Sequence, residues 1–177
     1  MSEHSGFTHL DEHGRARMVD VTAKPLTHRV ALAKCTVVTS ADIGHVFAQS
    51  PGGMNVVEAA RVAGIQGAKQ TATLIPLCHP IRIDRVAVDV TIGPDHIDVS
   101  AVTEIVERTG VEMEALTACS IAALTLVQAL IASDPEASIE DLSLWHKSGG
   151  RSGDWVRASD DTTLTRTEPV TSGPSTE

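Results

Sequence analysis

Three stretches of this 177-residue chain concentrate side chains able to hold anions or carry protons. The first, TLIPLCHP at 73–80, sets Cys78 and His79 between two prolines. Prolines stiffen the backbone and would fix the angle of His79. His79 reads as a proton carrier or phosphate ligand, or else as a loop histidine bonded to backbone. Cys78 and His79 alone supply too few ligands for a metal centre. The second stretch is RTGVEMEALTA at 108–118. Glu112 and Glu114 stand in its first helical turn, where the helix dipole favours acids. Thr109 with Glu112 forms a capping-box pattern, which accounts for Glu112. Glu114 has no such duty and is the functional candidate. The third, LWHKSGGRSGDW at 144–155, scatters Lys147 and Arg151 among glycines. Glycines let backbone N–H groups approach an anion, and the cations add charge. It reads as a phosphate-binding loop or as a flexible exit; the GxxxxGK[ST] spacing is absent. Arg29, Arg61, Lys69 and Arg108 are further cations. Those on helices read as solvated faces, and Lys69 near a helix end also suits the dipole.

The elements that must position these groups follow from periodicity. Residues 29–39 alternate and carry β-branched side chains, a strand. Ser40 is read as the N-cap of a short helix over 41–49. Asn55 with Glu58 resembles a capping box and opens a second helix, VVEAARVAGIQGAKQ. Gly64 and Gly67 inside it imply close approach to a neighbour, since glycine costs a helix about 1 kcal/mol against alanine. Residues 82–92 place Val86, Val88, Val90 and Ile92 on one strand face, Gly93-Pro94-Asp95 turn, and 96–106 return with Ile97, Val99 and Ala101 inward. A long apolar helix then runs to about Ala132 and stops at Asp134-Pro135. Residues 138–146 form a last strand with Leu142 and Leu144 inward. The order strand, helices, strand, strand, helix, strand is the split βαβ or ferredoxin-like pattern, α+β, with helices on one face of an antiparallel sheet. At 1.5 Å per residue the long helix spans about 33 Å, more than a small sheet covers. Its spare apolar surface suggests an oligomer interface.

Composition narrows the class. Residues 1–15 look loosely held, 16–157 form the single domain, and the Thr/Ser/Pro-rich tail 158–177 reads as disordered. Hydrophobic residues make up 42% and charged residues 21%, so the chain can build a core. Aromatics are only 2% and the net charge is -9, which argues against a nucleic-acid or other polyanion binder. Cys35, Cys78 and Cys119 are odd in number and far apart in sequence, neither a disulfide framework nor a zinc site. They fit a reduced, cytoplasmic compartment, and the polar, acidic N-terminus is not a secretory signal. Residues 115–133 carry no charge, but they are alanine-rich and interrupted by Thr117, Ser120, Thr125 and Gln128, and no Lys or Arg anchors them. They read as a buried helix rather than a membrane span.

Taken together, MVDVTAK (18–24), RVAGIQGAKQT (61–71), LIPLCHP (74–80), TGVEMEALTA (109–118) and KSGGRSG (147–153) resemble the cyclic pyranopterin monophosphate synthase family, MoaC-type lyases of molybdenum cofactor biosynthesis. The likeness spans roughly residues 8–157. It implies a ferredoxin-like subunit in a homohexamer built as a trimer of dimers, with active sites between subunits. It implies conversion of (8S)-3',8-cyclo-7,8-dihydroguanosine 5'-triphosphate to cyclic pyranopterin monophosphate with release of pyrophosphate. By match, Leu77, Cys78, His79, Met113 and Glu114 fall at substrate-binding positions, and Arg29, Lys69 and Lys147 match basic residues that would hold the triphosphate. No cofactor or metal site is implied, although magnesium could accompany the triphosphate.

The resemblance also marks departures. The family's catalytic lysine before RVAGI falls at Gly53, and its catalytic Asp and Lys on the long helix fall at Gln128 and Ile131. Gln cannot take up a proton as a carboxylate can, and Ile offers no charge. The catalytic residues are thus unassigned. One expectation is an active synthase using a shifted set, with Lys69, His79 and Lys147 as candidates beside Glu114. The other is a catalytically impaired paralogue that binds a pterin or nucleotide or co-assembles with an active homologue.

Overall fold

The computed structural model describes residues 9–49, 55–151 and 153–158. Gly53, most of the tail and the first eight residues lie outside them, as does Ser152. The element order is β1 (Thr27–Val38), α1 (Ile43–Ala48), α2 (Val56–Leu74), β2 (Arg85–Ile92), β3 (His96–Glu107), α3 (Glu112–Leu130), β4 (Ser138–Ser148) and β5 (Trp155–Val156). The strands form one sheet in the order β2-β3-β1-β4-β5, antiparallel at every pairing. The first four strands with α2 and α3 are the expected ferredoxin-like α+β arrangement. The two-residue β5, paired to β4 through His146–Val156 and Lys147–Trp155, is an edge addition the sequence pattern did not reveal.

Alternation places the core. Ala31, Ala33, Cys35 and Val37 of β1 are buried, as are Ile97, Val99, Ala101 and Ile105 of β3 and Val88 of β2. These side chains share the face covered by α2 and α3. A Cβ added at Gly64 of α2 would sit 3.1 Å from Val88 and 2.8 Å from the carbonyl oxygen of Ala118 in α3. One added at Gly67 would meet Ile121 at 2.8 Å. Both glycines therefore let the two helices touch backbone to backbone, as their presence mid-helix implied. Among the described residues, α3 is the one helix long and apolar enough to cross a membrane. It is instead a core helix: Ala115, Ala118, Ala122, Leu126 and Leu130 are fully buried.

Several local expectations are corrected. The short helix is capped by Asp42, whose carboxylate accepts from the His45 N–H, and not by Ser40. Ser40 instead donates from its N–H and hydroxyl to Asp134, which also accepts from the Thr39 hydroxyl and the Glu136 N–H and so ties the exit of α3 to the exit of β1. Asn55 does cap α2, accepting from the Val57 and Glu58 N–H groups. The Thr109–Glu112 box does not form: Val111 holds the N-cap position of α3 and makes no side-chain bond there. Ile92 lies at the end of β2, beyond the helices, and is exposed. Leu142 is also exposed. The β1–β4 register slips between Lys34 and Thr36, and Asp141 takes a positive φ of 53°, so the period-two pattern of β4 changes phase and Ile139 packs on the core with Leu144. Within 1–15, Asp11 folds the chain back by accepting from the His13 and Arg15 N–H groups.

Candidate active site

The loop after α2 carries the first group of site residues. Leu77 adopts φ +69°, a left-handed conformation rare for a bulky residue, so the loop is bent sharply as it delivers Cys78 and His79. His79 is tied down by the amino-terminal segment: its Nε2 lies 2.8 Å from the Val19 carbonyl oxygen. A carbonyl can only accept, so Nε2 carries a proton and donates it to Val19, leaving Nδ1 as the ring nitrogen not engaged by this bond. The backbone-bonded reading of His79 is the one the geometry shows, and the same imidazole also lines a cavity.

That cavity has a volume of about 350 Å³. Leu77, Cys78 and His79 meet there with Glu112, Met113 and Glu114 from the first turn of α3. His9, Val19, Lys24 and Ile81 complete much of the wall. Glu114 is only 4% exposed. Burial, with the neighbouring Glu112 charge adding to it, pushes its carboxyl up to about 7. Burial and the same carboxyl raise the Cys78 thiol above its ordinary range. Glu112, freed from the capping role, lies 3.5 Å from the Lys147 Nζ on β4. This contact draws the third motif to the edge of the cavity formed by the first two.

A second recess of about 380 Å³ adjoins the first through Lys24 and is lined by Pro25, Thr27, Arg29, Gly150 and Arg151. The Arg29 guanidinium donates to the carbonyls of Glu107 and Arg108, at 3.1 and 3.2 Å. Among the described residues, no carboxylate pairs with Lys24, Arg29 or Arg151. The Thr27 hydroxyl is buried and has no partner among the described residues. Gly149 and Gly150 take φ of +84° and +76°, which only glycine adopts without strain, and wrap the chain around Arg29. Cations without a carboxylate partner, beside a hydroxyl free to donate, are groups suited to an anion.

Of the residues singled out in sequence, Leu77, Cys78, His79, Met113 and Glu114 come together, with Lys147 and Arg29 beside them. Lys69 does not: it is exposed on α2 and lines neither recess. Gln128 and Ile131 stand exposed at the far end of α3. Arg151, read in sequence as a cation of a phosphate-binding loop, lines the second recess, whereas Lys24 was missed as a site residue. Lys24 lies in the MVDVTAK block, but a lone lysine in an irregular segment carries no positional signal. A larger depression of about 480 Å³, around Lys34, Asp89, Asp98 and Trp145, takes in Arg61 but none of Leu77, Cys78, His79, Met113, Glu114, Arg29, Lys69 or Lys147. The convergence of three motifs decides in favour of the smaller cavity.

Fold and site together define a ferredoxin-like protein in which an imidazole and a buried carboxyl adjoin a cationic recess. The family model of MoaC matches residues 18–150. Over 153 residues the chain is 46% identical to the cyclic pyranopterin monophosphate synthase of Desulforapulum autotrophicum, covering 85% of this chain and 94% of that protein. It is 48% identical over 158 residues to the protein of that name from Thermomicrobium roseum, covering 88% and 95%. It is also 48% identical over 154 residues to cyclic pyranopterin monophosphate synthase 2 of Mycobacterium bovis, covering 85% and 91%. The chain belongs to the MoaC family.

Proposed function

We propose that this protein is a cyclic pyranopterin monophosphate synthase of molybdenum cofactor biosynthesis. It takes the cyclic dihydroguanosine triphosphate, rearranges it to the cyclic pyranopterin monophosphate and releases pyrophosphate. The observation that carries this reading is the pairing of two recesses. The cationic one around Lys24, Arg29 and Arg151 suits the triphosphate. The one with His79 and Glu114 suits the heterocycle. In this reading Leu77, Cys78 and Met113 shape the ring pocket, and Lys147 serves the phosphates beside Glu112. The His79 imidazole and the Glu114 carboxyl, the latter raised to about 7 by burial, are the groups able to exchange protons.

The active site is completed between subunits of a homohexamer, a trimer of dimers. Lys69 supports this, because it faces outward from a chain whose own recesses it cannot reach. Leu124 and Ile131 of α3, 53% and 50% exposed, give the helix an apolar outer stripe that a second subunit would cover. In this reading magnesium accompanies the triphosphate and the reaction needs no other cofactor. We place the protein in the cytoplasm, which three free thiols suit.

Relatives of this name that match 85–88% of the chain favour the active synthase over the impaired paralogue. The purified protein, incubated with the cyclic triphosphate and magnesium, should release pyrophosphate at about 10⁻² s⁻¹ or faster and yield the pyranopterin by mass. Binding without pyrophosphate release, together with turnover gained by the double substitution Gln128→Asp and Ile131→Lys, would overturn the proposal in favour of a binding paralogue.

A further inference from the structure

Two of the three cysteines, 84 residues apart, meet inside the core. Cys35 points inward from the middle of β1 and Cys119 points down from α3. Their Sγ atoms are 3.3 Å apart, and the Cys119 Sγ also lies 3.5 Å from the Val99 carbonyl oxygen. Both are free thiols, 3% and 0% exposed. Neither lines the cavity that holds Cys78. Core packing alone asks only for small apolar side chains here, and the flanking Ala33, Ala115, Ala118 and Ala122 supply them.

We infer that Cys35 and Cys119 form an oxidisable dithiol, a modification site that a small hydroperoxide converts to a disulfide joining β1 to α3. The geometry carries this. A disulfide bond is about 2.05 Å long, so the sulfurs need to close by only about 1.3 Å. Each cysteine has a rotatable χ1 with which to close that gap. The order of events follows from which sulfur is the better nucleophile. The hydrogen bond from Cys119 holds the Cys35 thiol below its ordinary range, whereas that contact and burial hold Cys119 far above it. The Cys35 sulfur attacks one oxygen of hydrogen peroxide, the O–O bond breaks, and one water leaves with a sulfenic acid on Cys35. The Cys119 sulfur then attacks that sulfur, its proton joins the departing hydroxide, and a second water leaves. Two thiols lose two electrons and two protons, and one peroxide becomes two waters. A dithiol reductant reverses the change by exchange. The bond would fasten α3 to the sheet only a few residues beyond Met113 and Glu114, and so fix the helix turn that carries them.

The test uses the full-length native protein. It is exposed to hydrogen peroxide, quenched with catalase, unfolded in the presence of iodoacetamide, digested and analysed by mass spectrometry. The expected result is a peptide pair linked through Cys35 and Cys119, two hydrogens lighter than the separate peptides and lost after dithiothreitol. Intact Cys35 and Cys119 recovered in alkylated form after Cys78 has been oxidised would overturn the inference. So would a link from either of them to Cys78, or a Cys35–Cys119 link that appears only when peroxide is added to unfolded chain. Because no substitution is needed, a folding defect cannot mimic either result.

Discussion

Glu114 places a carboxyl where water barely reaches, and its titration is coupled to stability. Folding raises it from the ordinary 4.5 to about 7. Between those values the folded chain keeps a proton that the unfolded chain has released. Stability is therefore fullest below about 4.5 and falls as pH rises towards 7, by about 1.4 kcal/mol per unit and about 3 kcal/mol in all. Glu114→Gln removes the penalty. Urea midpoints measured from pH 4.5 to 8 should show the variant gaining on the wild type up to about pH 7 and the gap levelling beyond; parallel curves would contradict the buried-acid account. Lys147 behaves differently. Its pair with Glu112 leaves both side chains about a third exposed, at 30% and 32%. Such pairs contribute about 0.2–1 kcal/mol. Lys147→Met should leave stability within about 1 kcal/mol while weakening inorganic triphosphate about tenfold in calorimetry, since a charge-assisted contact to phosphate is worth more than the pair it leaves. Equal affinity in the two proteins would remove Lys147 from the phosphate site.

At the scale of elements, the contact between α2 and α3 depends on two missing side chains. Alanine is normally the better helix former by about 1 kcal/mol. At Gly64 the added Cβ would lie 2.8 Å from the Ala118 backbone oxygen, which cannot rotate away. Gly64→Ala should therefore destabilise the protein by about 1–3 kcal/mol, the usual range for overpacking. In α1, Gly44 is exposed and its added Cβ meets only the Asp42 Oδ1 at 3.5 Å, ordinary contact. Gly44→Ala should stabilise by about 0.5–1 kcal/mol. Chemical denaturation of the two variants side by side checks the signs, and a stabilising Gly64→Ala would mean the helices can separate without cost. The strand faces and the Asn55 cap were legible in sequence because they depend on neighbours two to four residues away. The failed Thr109 cap and the exposed Leu142 were not. The first depends on where α3 begins, with Val111 rather than Thr109 at its N-cap; the second depends on a register slip between strands far apart in the chain.

At the scale of the whole molecule, the outer stripe of α3 and the outward Lys69 bear on assembly. Light scattering of the purified protein should give a mass near six chains. Leu124→Glu with Ile131→Glu places two charges in the stripe and should reduce that mass while far-ultraviolet circular dichroism is retained. A monomeric wild type would refute the shared-site reading.

The sequence by itself determined the ferredoxin-like order of elements, the two glycines at the helix contact and the motif residues that meet at one cavity. Each of these is written in local periodicity or in a contiguous block. Tertiary structure alone decided that Lys24, Arg29 and Arg151 surround one recess, that Glu112 answers to Lys147, and that Cys35 meets Cys119. Those contacts join segments separated by tens of residues, and their partners are chosen by how the sheet registers and how closely α2 and α3 pack upon it.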